Sequence, residues 1–339
     1  MDRSNILMFF DEPTHKYTDS LSGKYTSVTT VLGYYENKFD KKKYDIATAC
    51  AKIGQNPGHD SYKKYAGMTV EQILAKWDKA REDGCEIGNV KHNYLDNSIK
   101  LANGYRSITG STFINKRIYT INDIMQNPIY GQVDLKYFES LGVKDQYPRI
   151  YEVISNFVEL GYRVYSEICV FDPVNRIAGL IDVLLIKGNQ FLIIDWKTNK
   201  ARLMFKSGYF KKDIEDNLTD EFIENDEKFI FPLHKYPQSV GHKYTFQLSL
   251  YDYLAEGFGL ECIGNLLFHI RHNNYESTHE DVIANPEWID KQQVDIYPIQ
   301  YLKNDMAQLV SDFSRKEASG YIDGKNIAST FKLKSNVAV

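Results

Sequence analysis

The hydrophobic pattern is most regular in the middle of the chain. Residues 149–160 place apolar side chains at helical spacing, and Gly161 follows as a stop. Three runs rich in β-branched and apolar residues come next, at 162–171, 177–186 and 191–196, with turn residues between them. This pattern predicts one helix followed by three strands that two hairpins connect.

A second helix and a further strand follow this region. An acidic stretch without periodicity, about 200–241, separates the third strand from a helical pattern at 244–256 and a strand pattern at 263–271. The order is therefore helix, three strands, helix and strand (αβββαβ). It predicts an α/β fold with a mixed β-sheet flanked by helices. One more helix is predicted at about 302–313.

The N-terminal part is less regular than the middle. The chain as a whole divides into three predicted segments. Its first 40 residues or so read as short strands and turns, with Ser27 capping a short helix. We assign residues 1–145 to a mainly helical N-terminal region, 146–290 to the α/β core, and 291–339 to a C-terminal helix and tail.

A long helical pattern occupies residues 69–102. Thr69 and Gln72 have the spacing of a capping box at its start. Gly84 and Gly88 interrupt the pattern, and we expect them to divide it into two helices.

Composition indicates a globular protein. The 339 residues are 43% apolar, 25% charged and 14% aromatic, which excludes a disordered chain, a collagen-like repeat and a coiled-coil rod. No apolar run approaches the roughly 18–20 residues that cross a bilayer, and the start does not resemble a signal peptide. We therefore expect a cytoplasmic protein without a membrane partner. The four cysteines lie far apart without metal-ligand spacing, so reduced thiols are expected.

The net charge of −4 conceals an uneven distribution. Eight acidic residues and no basic residue lie between Asp213 and Glu227, so the rest of the chain is net positive. The overall charge therefore does not exclude a nucleic acid as partner.

Acidic residues occur in all three predicted central strands, where composition alone would place Val or Ile. Glu167 lies in the first, Asp182 in the second, and Asp195 in the third, two residues before Lys197. Strand alternation puts Asp195 and Lys197 on one face. Converging carboxylates form an oxygen-rich site that suits Mg²⁺ or Mn²⁺. The alternative is that Asp195 and Lys197 form a surface ion pair and that the other acids accept hydrogen bonds from backbone amides in turns.

These residues resemble the motif of the PD-(D/E)xK nuclease superfamily. The motif reads Gly179–Asp182 and, thirteen residues after Asp182, Asp195–Lys197. The resemblance implies a restriction-endonuclease-like core in which Asp182, Asp195, Lys197 and Glu167 are catalytic. It also implies that the three acids bind a metal ion together with the main-chain carbonyl of Trp196.

Two further features resemble the RecB-like exonuclease branch of that superfamily. Gln247 and Tyr251 match its QxxxY signature, and they share one helix face. Trp77 and His92 match the segment in which the branch places a histidine metal ligand; the alternative is a buried, hydrogen-bonded histidine. No cysteine follows Cys262, so we expect no iron–sulfur cluster.

The resemblance implies a DNA exonuclease, dependent on Mg²⁺ or Mn²⁺, that acts in recombination, repair or replication. Gln247 and Tyr251 would orient the DNA strand, and the N-terminal region would frame a channel for a DNA end. Further DNA-contact candidates are Lys41 and Lys42, in a run of lysines and aromatics, and Ser27 at a helix start. The lysine run could equally be a solvated helix face.

The acidic segment 213–227 would be repelled by DNA. We expect it to lie away from the DNA or to contact a recombination or replication protein. Two alternatives to an exonuclease stay open: an endonuclease or structure-specific nickase on the same core, and a non-catalytic DNA-binding protein. The abundance of Lys, Asn, Ile and Tyr suggests an AT-rich genome, as in a virus of bacteria, and hence a bacterial cell.

Overall fold

The β-structure of the protein extends well beyond the four strands predicted in the core. The computed structural model describes residues 3, 5–11, 13–37, 40–104, 116–126, 131–213, 217–271 and 293–320, and the side chains of residues 40–42 are outside that description. The strands within it are β1 (Met8–Asp11), β2 (Lys16–Asp19), β3 (Lys24–Ser27), β4 (Lys116–Ile118), β5 (Arg163–Asp172), β6 (Ile177–Lys187), β7 (Gln190–Lys197), β8 (Gly208–Lys212), β9 (Leu218–Glu224), β10 (Glu261–Arg271) and β11 (Gln293–Ile299).

Helices precede and follow the central strands in the predicted order. Those in the described residues are α1 (Val28–Gly33), α2 (Asp40–Ile53), α3 (Tyr62–Tyr65), α4 (Val70–Ala102), α5 (Ile121–Gln126), α6 (Leu135–Ser140), α7 (Val143–Gln146), α8 (Pro148–Glu159), α9 (Val240–Glu256) and α10 (Lys303–Ala318). The sequence α8, β5, β6, β7, α9, β10 reproduces the predicted αβββαβ order, with β8 and β9 inserted. None of these helices is both long enough and apolar enough to span a membrane.

Nine of the strands form one mixed sheet, so the α/β class is confirmed. Its order is β11-β10-β7-β6-β3-β2-β1-β4, and β5 pairs with β6 as well. The strands β1 to β4 come from the segment predicted as mainly helical, and they extend the sheet of the core. The sheet therefore continues across the predicted boundary at residue 145.

The central strand β6 has one edge that two other strands share. β5 pairs antiparallel with β6 from Ile177 to Ile186 and so occupies one edge throughout. The other edge pairs with β3 at Ile177 and Ala178 and with β7 at residues 183–187. Between these two ladders, no strand among the described residues pairs with residues 179–182 on that edge. The sheet opens at the segment that ends in Asp182.

Helices cover both faces of the sheet. On one face, α1, α9 and α10 pack through apolar residues such as Leu32, Leu250 and Phe313. On the other face, α4, α6 and α8 pack through Leu95, Phe138 and Ile154. The strands are buried on both sides, which explains why β6 and β7 are nearly continuous apolar runs.

The helix α4 is a single helix of 33 residues, so the predicted division at Gly84 and Gly88 is wrong. A glycine inside a helix costs only about 1 kcal/mol relative to alanine. The burial of Ile87, Leu95 and Ile99 outweighs that cost. The capping box of Thr69 and Gln72 is confirmed.

The acidic stretch after β7 contains the antiparallel hairpin β8–β9, so the expectation of an irregular segment is wrong. Both of its faces are largely exposed, and it therefore lacks the apolar alternation that predicts a strand. Three of its acids form ion pairs with earlier basic residues: Arg202 with Asp220, Lys206 with Glu224, and Lys211 with Glu221. The described part of the acidic segment is thus partly neutralised.

Candidate active site

Three carboxylates lie side by side where the sheet opens. Ser166 pairs with Val183 and Ile168 with Ile181, so the register places Glu167 opposite Asp182. Val183 pairs with Ile194, so the same register continued by one residue brings Asp195 opposite Asp182. The three acids are close enough to affect one another: the charge of Glu167 raises the pKa of Asp182, and the charge of Asp182 raises the pKa of Asp195. The strands β5, β6 and β7 therefore bring the three predicted acids into one row.

Asp182 is the centre of this row. Its Oδ2 accepts a hydrogen bond of 3.0 Å from the main-chain amide of Trp196, and it lies 3.6 Å from Nδ1 of His92 on α4. The imidazole of His92 also hydrogen-bonds to the main chain of Trp196. Three predicted ligands are thus neighbours: the carboxylate of Asp182, the imidazole of His92 and the main chain of Trp196.

Asp195 and Lys197 form an ion pair within the site and not on the surface. Asp195 is 1% exposed, and its Oδ2 contacts Nζ of Lys197. The ring of Tyr244 lies 4.9 Å from that Nζ, in cation–π geometry. The amide of Gln247 donates to Oδ1 of Asp195 over 3.5 Å and to the hydroxyl of Tyr251 over 3.2 Å.

Glu167 is engaged by a second lysine. Nζ of Lys100, on α4, forms an ion pair with Oε2 of Glu167. Glu167 also has a φ of +54°, in the left-handed region that residues other than glycine rarely adopt. Glu167 is therefore a neighbour of Asp182 whose carboxylate already has a cationic partner.

Sequence reasoning missed Asp96, Lys100 and Tyr244. Asp96 is 5% exposed, and its Oδ1 accepts hydrogen bonds from Ser166 Oγ over 2.9 Å and from the indole of Trp196 over 3.3 Å. Asp96 and Lys100 follow His92 at intervals of four residues, so one face of α4 carries all three. That spacing is the signal that could have found them.

Burial and mutual repulsion disturb the ionisation of the carboxylates. Burial raises the pKa of Asp195 to about 6, against the opposing effect of Lys197. Burial also raises the pKa of Asp182, and the charge of Glu167 adds to the effect. The pKa of Asp96 is raised by burial and then by Asp182 and Glu167. Burial, and to a lesser extent the mutual repulsion of these acids, therefore favours the protonated form of the three carboxyl groups.

The pKa values of the two basic groups, His92 and Lys197, shift in opposite directions. Burial lowers the pKa of His92 to about 4, and Lys197 contributes, so the imidazole is neutral at pH 7 and able to bind a metal. Burial acts to lower the pKa of Lys197, but Asp195 and Asp182 outweigh it and raise that pKa. Lys197 is therefore an ammonium, which can donate hydrogen bonds but cannot take a proton.

Two glycines let other elements approach the site closely. A Cβ on Gly88 would lie 2.8 Å from Oγ1 of Thr198, just after β7, so glycine lets α4 approach that loop. A Cβ on Gly179 would lie 2.5 Å from the ring of Tyr251. Gly179 thus lets the tyrosine of α9 lie across the opening beside β6.

The donor set suits Mg²⁺ or Mn²⁺, although the ligands are not gathered around a point. Carboxylate oxygens, a main-chain carbonyl and a neutral imidazole are ligands that these ions accept. Among the residues that the structure describes, no group of three or more His, Cys, Asp or Glu side chains is arranged to hold a metal ion. Burial is the main cause of the raised pKa values of Asp182 and Asp195, and a divalent cation bound there would favour their charged forms.

The predicted DNA-contact residues fall in different places. Gln247 and Tyr251 lie at the site on one face of α9. Ser27 caps α1: its Oγ accepts a 3.1 Å hydrogen bond from the amide of Thr30 and donates to the Thr30 hydroxyl. Lys41 and Lys42 belong to α2, but their side chains lie outside the described residues.

Comparison with known proteins does not identify a family for this chain. A comparison with protein-family models finds no match, and a comparison with curated proteins finds none either. The function must therefore be argued from the site itself.

Proposed function

We propose that this chain is a divalent-metal-dependent deoxyribonuclease with a restriction-endonuclease-like core, and that it degrades DNA from its ends. The observation that carries the proposal is the row of Glu167, Asp182 and Asp195 across three adjacent strands, with Lys197 paired to Asp195. An ion pair at a strand end would not need two more carboxylates in register with it.

The three acids of the row, Glu167, Asp182 and Asp195, would hold the metal ion in this proposal. His92 and the carbonyl of Trp196 would complete its ligands. A bound Mg²⁺ or Mn²⁺ would polarise the phosphate and lower the pKa of a water molecule next to it. The pKa of His92, about 4, keeps its imidazole neutral and able to act as a ligand. The hydrogen bond from the Trp196 amide fixes Asp182 in the strand opening.

Lys197 supplies positive charge next to the reacting phosphate. Its raised pKa keeps the ammonium protonated, so it stabilises negative charge that develops on the phosphate and orients the attacking water as a donor. Tyr244 and Asp195 hold the ammonium from two sides.

Gln247 and Tyr251 support the exonuclease assignment. They are the two residues that resemble the RecB-like signature, and the amide of Gln247 links the tyrosine hydroxyl to Asp195. In the proposal, this pair positions the DNA strand against the acidic row. A role in recombination, repair or replication, and a protein partner at residues 213–227, remain parts of the same proposal.

The test is digestion of end-labelled linear DNA with Mg²⁺, with Mn²⁺ or with EDTA. We expect the wild type to release labelled nucleotides only with a metal ion, and Asp195→Ala and Lys197→Ala to release almost none. Lys144→Ala is the matched control, because Lys144 and Glu139 form an ion pair on the surface instead.

Covalently closed circular DNA distinguishes the two nuclease types. An exonuclease leaves the circle intact, whereas an endonuclease nicks or linearises it. Equal digestion by the wild type and both site variants would refute the nuclease proposal, and cleavage of the circle would refute its exonuclease part.

A further inference from the structure

Two buried tyrosines meet at the open edge of β6. The ring of Tyr251, on α9, lies against Gly179. Tyr17 lies on β2, and its hydroxyl reaches the main chain of Leu180, the next residue of the same edge. Tyr251 is 5% exposed and Tyr17 7%. Burial and then Tyr17 raise the pKa of Tyr251, so the two phenols lie within electrostatic range of each other.

Both hydroxyls accept a hydrogen bond from the protein and donate none to it. The amide of Leu180 donates to the phenol oxygen of Tyr17, and the side-chain amide of Gln247 donates to that of Tyr251 over 3.2 Å. Among the residues that the structure describes, neither O–H group has an acceptor for its own proton. Buried polar groups usually have partners, because a buried donor without an acceptor is unfavourable. The opening therefore contains two donors that the protein itself does not use.

This opening is continuous with the acidic row. The edge without a strand partner, residues 179–182, ends in Asp182, whose side chain is 21% exposed, so solvent reaches the opening there. Gln247 donates to Asp195 as well as to Tyr251, which connects the phenol to the row on the other side. A group bound at the row is thus next to the two hydroxyls.

The two phenols keep their protons at neutral pH. Burial is the main cause that raises the pKa of Tyr17, and charges on nearby groups, Glu167 and Asp182 among them, add to it. Burial raises the pKa of Tyr251 in the same way. A ligand that enters the opening therefore meets neutral donors. An anionic oxygen suits them, and the phosphodiester group of the proposed substrate supplies such oxygens.

We infer that Tyr17 is a substrate-binding residue, and that Tyr17 and Tyr251 donate hydrogen bonds to a non-bridging oxygen of the phosphate that is cleaved. The inference rests on the proposed function, since that function brings a phosphate to the acidic row. Donors fixed in advance around an oxygen on which charge develops stabilise that charge. The N-terminal strands thereby belong to the site, because β2 carries Tyr17 into the opening.

The experiment measures kcat/KM for the first cleavage of a short end-labelled DNA with Mn²⁺. The scissile phosphate is either ordinary or a phosphorothioate, in which sulfur replaces one of the two non-bridging oxygens, and the two stereoisomers are tested separately. Tyr17→Phe keeps the ring and removes the hydroxyl. A hydrogen bond to a charged group is worth roughly 10- to 100-fold in kcat/KM, and we expect a loss of that size on ordinary DNA.

One stereoisomer distinguishes a direct contact from a structural effect. It carries sulfur, a poor hydrogen-bond acceptor, at the position that the phenols bind, so the wild type should cleave it more slowly than ordinary DNA. Tyr17→Phe has no such bond to lose, and on this isomer it should be slower than the wild type by less than about threefold, since groups in direct contact are not additive. On the other isomer, the variant should show its full loss.

Tyr25→Phe is the matched control. Tyr25 is the buried cross-strand partner of Tyr17, and its hydroxyl already donates to Asp19 within the protein. This variant should cleave all three substrates with the wild-type kcat/KM. Tyr251→Phe removes the other phenol hydroxyl, and it should repeat the pattern of Tyr17→Phe, so it answers the same question if Tyr17→Phe does not fold.

The outcomes separate the inference from the proposed function. A folded Tyr17→Phe that cleaves ordinary DNA as fast as the wild type, or that is slowed equally on all three substrates, would overturn the inference and leave the nuclease proposal standing. If Tyr17→Phe does not fold, either result with Tyr251→Phe overturns it in the same way. A wild type that cleaves none of the three substrates would overturn the nuclease proposal itself.

Discussion

The main-chain amide of Trp196 donates its hydrogen bond to the side chain of Asp182 at the point where β6 and β7 stop pairing. The carboxylate thus replaces a strand partner for that amide. A hydrogen bond to a charged group contributes about 1.5–3 kcal/mol. Asp182 therefore has two separable tasks: it closes the end of the β6–β7 ladder, and its charge is available for a cation.

The variant Asp182→Asn separates these tasks. The amide oxygen still accepts from Trp196, while the negative charge is lost. We expect the melting temperature to stay at the wild-type value or to rise, because the repulsion from Glu167 and Asp195 disappears. Nuclease activity should fall by about 100-fold or more, the upper value for loss of an outer-shell ligand partner. A melting curve and digestion of end-labelled DNA measure the two effects.

Asp182→Ala is the companion variant, because it leaves the Trp196 amide without its acceptor. It should lose activity to the same extent and also unfold at a lower temperature than Asp182→Asn. Equal melting temperatures for the two variants would contradict a structural role for this hydrogen bond.

Lys197→Met should destabilise the fold as well as abolish activity. Asp195 is almost completely buried, and removal of its cationic partner leaves an uncompensated charge. Breaking a buried ion pair from one side costs about 3–5 kcal/mol. We expect a loss near the lower end of that range at neutral pH, because Lys197 keeps some contact with solvent. Urea unfolding measures it.

The double variant Asp195→Asn/Lys197→Met is the control for that loss. With both charges removed, no buried carboxylate lacks a partner, and stability should return toward the wild type while activity stays absent. A double variant as unstable as Lys197→Met would show that the lysine contributes by packing and not by charge.

The sequence predicts the central strands and their acids correctly because each depends on a local pattern. Asp182 and Asp195 interrupt apolar runs that become buried strands, and the strand register then brings them together. The QxxxY spacing likewise places Gln247 and Tyr251 on one face of α9 regardless of what packs there. These features need no knowledge of the distant parts of the chain.

The features that could not be predicted depend on contacts between distant segments. The pairing of Lys100 with Glu167 joins residues 67 positions apart, and it exists because α4 packs against β5. The hairpin β8–β9 is stabilised by the hydrogen bonds between its two strands and by ion pairs. It therefore does not need an apolar face, and its sequence lacks the alternation that predicts a strand. The expected break in α4 is wrong because glycine indicates only a weak local preference for helix. The packing that compensates for it depends on distant parts of the chain.

The two glycines of α4 provide a matched pair of substitutions. Gly84 is exposed, and a Cβ there would meet no atom within 4 Å, whereas a Cβ on the buried Gly88 would lie 2.8 Å from Thr198 Oγ1. Gly84→Ala should therefore stabilise the protein by about 1 kcal/mol through helix propensity alone. Gly88→Ala should gain less, because Thr198 or the helix must move.

Activity should separate the same two variants. A shift of α4 away from Thr198 carries His92 away from Asp182, so Gly88→Ala should digest DNA more slowly while Gly84→Ala digests at the wild-type rate. Adding Thr198→Ala to Gly88→Ala removes the obstructing hydroxyl and should restore most of the stability gain. The expectation fails if both glycine variants gain the same stability and keep full activity.

A pH dependence of stability should arise from Asp252, which lies outside the acidic row. Its side chain is fully buried on α9, and burial raises its pKa to about 7, despite the hydrogen bond from Asn265. The folded state then holds a proton that the unfolded state releases near its ordinary pKa of 3.8. Stability contributed by this group is complete below about pH 4 and is lost as the pH rises to about 7, by up to roughly 4 kcal/mol.

Asp252→Asn should remove that contribution, since an asparagine does not titrate and its oxygen can still accept from Asn265. Urea unfolding of both proteins at intervals from pH 5 to pH 8 tests the expectation. The free energy of unfolding of the wild type should fall relative to that of the variant as the pH rises, because other titrating groups are common to both. Parallel curves would show that Asp252 is ionised in the folded protein throughout this range and that its buried charge is balanced in another way.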